Sequence, residues 1–403
     1  MTNLSDPVPA TVSPLDVPRG GVPPLTNTDV DAAVQRLACG TGPFAVDTER
    51  AMGIRYSERA YLVQIKRAGA GIVLLDPLGI EDRLGGLRDV MSRDQWILHA
   101  ADQDLPCLRE LGLEPPELFD TEIAGMILGF EHISLQAEVE NVLGIRLAKE
   151  YSNSDWSVRP VSEPMRAYAA LDVEVLIELR DALTAMLEQA GRLDWALQEN
   201  EAVRVSRPKP KRKERWRRHA KSAGIKDRRG LEMLRQLWLA REELAKARDI
   251  APEHVFPGKA MAALAAAKPR SEQDVRRHST LRSQARRRDA GVYASAVRQA
   301  WRTSEDNLPP RRPVSSDPYP ATREWHRASP AGAERWAVVR PAVIARAEEL
   351  GIRQDVLLKP AFQKQLAWTG WEDSSVAQVL TTLGARPWQV DQVAPAIERA
   401  WAK

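Results

Sequence analysis

The alternation of apolar and polar positions divides the chain into a first half carrying both strand and helix signals and a second half carrying helix signals alone. A first helix is capped by Thr28, runs to Leu37 and ends at the glycines of 40–42. Three short apolar runs follow at 44–48, 60–65 and 71–76. Glycine and polar residues separate them, which predicts an antiparallel meander of strands. Residues 84–91 have helical spacing, 96–99 read as a buried strand, 102–111 as a helix, and 118–121 as the opening of another strand-to-helix unit. Helical spacing then covers 135–143 and 163–189. A meander followed by alternating helices and strands predicts an α/β domain built on a mixed sheet. Beyond about Asn200 the patterns are helical throughout, at 230–249, 257–267, 272–288 and 331–403. The run Leu357-Leu358-Lys359-Pro360 followed by apolar spacing over 362–368 echoes Val255-Phe256-Pro257 followed by 260–264, which points to two related helical modules.

With 403 residues the chain is too long for one ordinary core. Proline clusters and charge mark the joints. Residues 1–27 read as a disordered, Pro-rich tail, 28–200 as the α/β domain and 201–226 as a basic linker. Residues 227–305 read as a helical domain, 306–325 as a second Pro-rich linker and 326–403 as a further helical domain. Hydrophobic residues make up 43% and charged residues 28%, as in soluble globular proteins. No run reaches membrane-spanning length and no signal-peptide layout opens the chain, so a cytoplasmic, membrane-free protein is expected. The only cysteines, Cys39 and Cys107, make neither a disulfide framework nor a four-thiolate zinc site.

Candidate chemistry begins in Phe44-Ala45-Val46-Asp47-Thr48-Glu49. On a strand, side chains two apart leave the same face, so Asp47 and Glu49 point together. Two carboxylates that close favour a divalent cation between them, although a pair of strand-end acids facing water is the commoner meaning of such a pattern. The stretch His99-Ala100-Ala101-Asp102-Gln103-Asp104-Leu105 supplies two aspartates at a helix entry. Asp102 is the expected cap, which leaves Asp104 to face the strand ends. In Tyr168-Ala169-Ala170-Leu171-Asp172, four-residue spacing puts a phenol and a carboxylate on one helix face. Taken singly, each of these has an ordinary reading as a cap or a surface hydrogen bond.

Taken together, in this order and on these elements, they resemble the DEDD exonucleases of the tyrosine subgroup, and most closely the ribonuclease D branch. Leu62-Val63-Gln64-Ile65, Phe119-Asp120-Thr121 and Asp155-Trp156-Ser157-Val158-Arg159-Pro160 also look like local patterns of that branch. The resemblance spans roughly residues 29–195. It implies a ribonuclease H-like exonuclease domain with a mixed sheet. It also implies Asp47, Glu49, Asp104 and Asp172 as the metal-binding carboxylates, with Tyr168 orienting the attacking water. The implied cofactors are two Mg²⁺ or Mn²⁺ ions about 4 Å apart. The implied activity is 3′→5′ exoribonuclease action that releases 5′-mononucleotides, with tRNA precursors or other small structured RNAs as substrates.

The helical half resembles the helicase-and-RNase-D C-terminal (HRDC) domain. The likeness rests on Leu237-Trp238-Leu239-Ala240-Arg241-Glu242-Glu243-Leu244-Ala245, on residues 257–264 and on Lys268-Pro269-Arg270-Ser271. Residues 334–401 look like a divergent second copy. Such modules imply a grip on structured RNA. Lys211, Arg212 and Lys213 are then candidates to follow a phosphate backbone and Trp216 to stack on a base, against the plain alternative of a solvated linker. Gln64, His99 and Arg159 are further candidates for substrate contact. Each has a structural alternative: a buried glutamine, a packed strand-end histidine and a surface ion pair. A monomer is expected. Two other functions stay open, a DNA 3′→5′ exonuclease and a non-catalytic RNA-binding protein on a nuclease scaffold. The complete four-acid set and Tyr168 weigh against the second.

Overall fold

The computed structural model describes residues 12–148, 151, 154–208, 214–313 and 317–402. It divides into two compact units. The first holds residues up to Glu49, Ala60–Arg207 and Tyr319–Lys403; the second holds Arg50–Arg59 and Pro208–Pro318.

The strands of the first unit are β1 (Ser13–Leu15), β2 (Leu25–Thr26), β3 (Thr41–Arg50), β4 (Ala60–Ala68), β5 (Gly71–Leu75), β6 (Trp96–Leu98), β7 (Leu118–Asp120) and β8 (Ile145–Leu147). Six of them form a mixed sheet in the order β2-β5-β4-β3-β6-β7. β4 and β5 are antiparallel, whereas β3–β6, β6–β7 and β2–β5 are parallel. The expected mixed sheet and ribonuclease H-like α/β architecture are therefore present. The two-residue strand period sorts side chains into two cores. Phe44 and Val46 of β3, Trp96 and Leu98 of β6, and Leu118 of β7 pack on one face with Leu37, Leu87 and Leu108. Ala45, Ile97 and Phe119 pack on the other with Ile127, Val139, Leu176 and Leu183. Covered on both faces, the central strands read as unbroken apolar runs.

Several expectations are corrected. The first helix is Val30–Cys39, and its cap is Asp29, whose side chain accepts from Ala32 N at 3.2 Å; Thr28 does not fill that role. Residues 1–11 of the expected disordered tail lie outside the described residues, but 12–27 are folded. There β1 pairs in parallel with β8 and β2 with β5, short edge strands of the kind that tolerate proline. Arg19 forms an ion pair with Glu178, and Arg166 donates to the Pro23 carbonyl at 2.8 Å, so this segment is tied down. The predicted helix over 163–189 is two helices, Glu163–Glu174 and Leu176–Gln189. Another helix, Leu193–Val205, extends into the expected linker.

In the second unit the helices Arg228–Arg248, Gly258–Ala267 and Ala290–Arg302 enclose a core that includes Leu234, Leu237, Phe256, Met261, Leu264, Tyr293 and Val297. The loop Arg50–Arg59 belongs to this unit: Ser57 N donates to Asp249 Oδ1 at 2.8 Å and Ala251 N to the Ile54 carbonyl at 2.8 Å.

Residues 319–402 repeat the same run of elements. A 21-residue helix, a four-residue turn of helix and a ten-residue helix occur at Arg228–Arg248, Pro252–Val255 and Gly258–Ala267, and again at Pro330–Leu350, Gln354–Leu357 and Pro360–Thr369. A serine capping box follows in both, at Ser271 and Ser375. The packing differs. Val339, Val343, Leu366, Trp388, Val393 and Ile397 share one continuous core with Leu128, Leu176, Leu179 and Leu187 of the α/β domain. Trp388 stacks on Trp195 at 4.8 Å, and its ring nitrogen donates to Glu199 at 3.0 Å. Arg192 donates to the carbonyls of both Ile127 and Leu350. The backbones come so close at Gly129 (φ +84°) that a Cβ there would meet the Gly351 carbonyl oxygen at 2.0 Å. Among the described residues no helix is long and apolar enough to cross a membrane.

Candidate active site

The parallel strands β3, β6 and β7 end near one another, the usual place for chemistry in an α/β sheet. Asp47 and Glu49 lie on the end of β3, on the same side as Ala45 by the two-residue alternation. The helix Glu163–Glu174, capped by Ser162, is anchored through Val173 in that same core and brings Asp172 to the strand end. One carboxylate oxygen from each of Asp47, Glu49 and Asp172 lies within 4.8 Å of the others. Burial, and then the charge of Asp104, push the Asp172 carboxyl well above its ordinary range. Acids crowded in this way repel one another. Hard oxygen donors held together are the donor set that Mg²⁺ or Mn²⁺ takes, so the residues present fit a divalent ion.

Asp104 reaches the site from the opposite face. It occupies the N-cap position of the helix Leu105–Glu110 but makes no capping hydrogen bond there, and Asp102 is not the cap. The Asp104 carboxylate accepts instead from Thr48 Oγ1 at 2.5 Å. Thr48 points to the face away from Asp47, and its hydroxyl also lies 3.4 Å from Cys107 Sγ. Asp104 thus stands beside the three-carboxylate cluster, with its charge acting on Asp172. Tyr168 lies one helical turn before Asp172 and is only 7% exposed. Its ring packs against Trp156 and edge-on to Tyr151, with centroids at 6.3 and 6.2 Å.

The remaining sequence candidates divide differently. Gln64, fully buried on β4, donates its amide to Asp47 Oδ2 at 3.3 Å and therefore supports one of the three clustered carboxylates. Arg159 is engaged: it clasps both oxygens of Asp76 at 2.6 and 2.9 Å and donates to the carbonyls of Tyr61 and Trp156. The ion-pair alternative is the one the structure contains, and it pins the segment around Trp156 to β4 and to the end of β5. His99 also turns inward. Its Nδ1 lies 2.8 Å from Thr121 Oγ1, and burial lowers its pKa to about 4, so the ring is neutral and packed. Trp216 is 2% exposed in the core of the second unit, which removes it as a base-stacking platform. Lys211, Arg212 and Lys213 lie outside the described residues.

Three contributors had no signal strong enough to single them out. Thr48 sits between the two acids of the strand but faces the other way. Asp120, at the end of β7, reads only as a helix cap. Glu138 is fully buried, and burial followed by the charges of Asp120 and Glu122 pushes its pKa up to about 10.

The second unit carries basic side chains, most of them exposed, around two depressions. A cleft of about 700 Å³ is lined by Arg217, Arg218, Lys221, Lys226 and Arg311. A smaller one is lined by Arg270, Arg298, Trp301 and Arg302, with the Arg270 guanidinium 5.3 Å from the Trp301 ring centre.

The family model "3'-5' exonuclease" matches residues 22–188, "HRDC domain" matches 230–291 and "3' to 5' exonuclease C-terminal domain" matches 318–401. The ribonuclease D of Pseudomonas paraeruginosa is 30% identical over 72% of this chain and 78% of its own length. That of Bartonella henselae is 30% identical over 63% of each chain, so the match spans slightly less than two thirds of that relative. A crystal structure of a protein from Bifidobacterium adolescentis superposes with a TM-score of 0.87 at 32% identity, covering 97% of this chain and all of the other.

Proposed function

Because the chain belongs to the ribonuclease D family, we propose that it is a divalent-metal-dependent 3′→5′ exoribonuclease that releases 5′-mononucleotides. The observation that carries this reading is the convergence of Asp47, Glu49 and Asp172 from a strand and its facing helix, with Tyr168 one turn away. Two Mg²⁺ or Mn²⁺ ions held by these acids and Asp104 would activate water and offset charge on the attacking and leaving oxygens. The protein's own part is positional. Gln64 fixes the Asp47 carboxylate, Thr48 fixes Asp104, and the ring contacts with Trp156 and Tyr151 hold the Tyr168 phenol. From there the neutral phenol can hydrogen-bond the attacking water without adding charge.

The substrate class we infer is small structured RNA with a free 3′ end, tRNA precursors among them. The basic clefts of the HRDC-bearing unit support this, since clustered Lys and Arg beside an aromatic ring suit a phosphate backbone and its bases. The repeated helix pattern of 319–402 supports reading those residues as a second HRDC-like copy.

The test is digestion of a 3′-tailed tRNA and of a DNA of matching sequence, with Mg²⁺, with Mn²⁺ and with chelator. Metal-dependent shortening of the RNA is expected. Tyr168→Phe should slow it by roughly 10²- to 10⁴-fold, as for removal of a water-orienting group, with metal affinity retained. Undiminished shortening in chelator would overturn the reading.

A further inference from the structure

The turn that delivers Asp104 is held from behind by a buried carboxylate to which the chemistry above gives no role. β6 ends at Leu98, whose register partner on β7 is Asp120. The chain then passes through Ala100, a non-glycine residue with φ +56°. The Ala101 carbonyl accepts from the backbone N–H of both Asp104 and Leu105, so the position of Ala101 sets the start of the helix that carries Asp104. Asp120 is 2% exposed and grips this turn with both oxygens: Oδ1 accepts from Ala100 N at 2.9 Å and Oδ2 from Ala101 N at 2.7 Å. Oδ1 also accepts from Glu122 N at 3.0 Å, which caps the helix Thr121–Leu128. Asn200 Oδ1 accepts from the Asp120 backbone N–H at 3.3 Å.

A cap alone needs one acceptor, which Ser, Thr or Asn supplies. Two further N–H groups on two different oxygens require a side chain that accepts at both, which the two oxygens of a carboxyl group provide and the amide of asparagine does not. The left-handed Ala100 needs such support, because that conformation is costly for a residue bearing a Cβ. On the next residue of the same chain, Thr121 Oγ1 meets His99 Nδ1 at 2.8 Å, so the start of the helix Thr121–Leu128 braces the turn at a second point.

We propose that Asp120 is a positioning residue for metal binding: by clamping the Ala100–Ala101 turn it fixes Asp104 at the distance from Asp47, Glu49 and Asp172 that ion binding requires. This rests on the reading of Asp104 as a metal ligand. Asp120 does not touch the ion, the water or the RNA.

The experiment is Mn²⁺ titration of the full-length protein by calorimetry and electron paramagnetic resonance, comparing wild type, Asp47→Ala and Asp120→Asn. Asparagine keeps the size and one acceptor but presents an amide N–H₂ to one of the two turn N–H groups. The expected result is a folded Asp120→Asn protein with wild-type circular dichroism and an Mn²⁺ affinity lowered about tenfold. Its kcat on a short oligonucleotide should fall, its KM should be unchanged, and excess Mn²⁺ should restore part of kcat. Wild-type Mn²⁺ affinity and stoichiometry in folded Asp120→Asn would overturn the proposal. So would failure of Asp120→Asn to fold, because Asp120 would then serve the fold alone. If wild type itself bound no more Mn²⁺ than Asp47→Ala, the metal-site reading would fail, and this proposal with it.

Discussion

The helices of the second unit and those of residues 319–402 follow one local plan and end in opposite situations. Both run 21, four and ten residues and then enter a serine-capped helix. The helix Arg228–Arg248 closes a core of its own, with Phe256, Met261 and Tyr293. The helix Pro330–Leu350 shares its core with the nuclease sheet through Trp388, Val393 and Ile397. The element pattern therefore fixes how a module folds locally and leaves open whether it stands alone. That is decided by a few apolar side chains, such as Trp195 and Trp388, that meet between modules. One module folds around a core of its own; the other shares the core that also packs under the α/β sheet.

Deletion of 319–403 should have the most severe consequence. A nuclease domain ending near Asn200 looks self-sufficient from the sequence, since all four acids and Tyr168 precede that point. The shared core reverses that expectation. The shortened protein should keep the melting transition of the second unit, lose that of the α/β domain, and lose all hydrolysis, even of an unstructured oligonucleotide. A shortened protein whose α/β domain still melts cooperatively and digests such an oligonucleotide would show that 319–403 is dispensable.

Point substitutions sharpen the contrast. Trp388→Ala and Phe256→Ala should each cost about 3–5 kcal/mol, the usual range for emptying a buried aromatic site. Trp388→Ala should lower the melting transition that carries hydrolytic activity. Phe256→Ala should lower the other one and leave hydrolysis of a short oligonucleotide unchanged. Differential scanning calorimetry with activity measured after each transition decides this; one transition moved equally by both would contradict it.

Much of the site was legible in the sequence because strand and helix periods are short-range. Asp47 with Glu49, and Tyr168 with Asp172, share faces for reasons fixed within four residues. The mixed sheet was legible because Phe44–Val46 and Trp96–Leu98 are short unbroken apolar runs bounded by polar and turn residues, as strands covered on both faces are. What failed depends on long-range packing. Trp216 lies among arginines and lysines in sequence but is buried in space. Arg159 was spoken for by Asp76, 83 residues away. The strands at Ser13–Leu15 and Leu25–Thr26 exist only because β8 and β5 are there to pair with them. Asp120 has the local pattern of a cap, and nothing within its own helix reveals the turn it grips.

A smaller effect concerns the grip on RNA. Replacing Arg218, Lys221 and Lys226 with alanine should flatten the dependence of log affinity on log salt by about 0.7–0.9 for each phosphate that is no longer neutralised. Filter binding of tRNA at several salt concentrations measures it, and an unchanged slope would assign that cleft to another role. The expected effect on an unstructured oligonucleotide is small.

The smallest effect lies within the nuclease unit alone. The folded Glu138 carboxyl keeps its proton up to about pH 10, whereas the ordinary value, which the unfolded group takes, is 4.5. Folding therefore takes up a proton between those values, so the stability contributed by this group is present at low pH and declines as pH rises. His99, held at about 4 when folded against an ordinary 6.5, acts only below that upper value. Between pH 7 and 9 the wild-type nuclease transition should fall with pH, and Glu138→Gln should flatten it while leaving the second unit's transition alone. Parallel slopes in both proteins would contradict the burial argument.

The most direct test of the central claim follows a 5′-labelled, unstructured RNA in Mg²⁺ with wild type, with Asp47→Ala and with the RNA blocked at its 3′ end. Wild type should give a ladder that shortens one nucleotide at a time from the 3′ end, with free 5′-mononucleotides. None should form with Asp47→Ala and none from the blocked RNA. Internal fragments at the earliest times, or an undiminished ladder from Asp47→Ala, would contradict it.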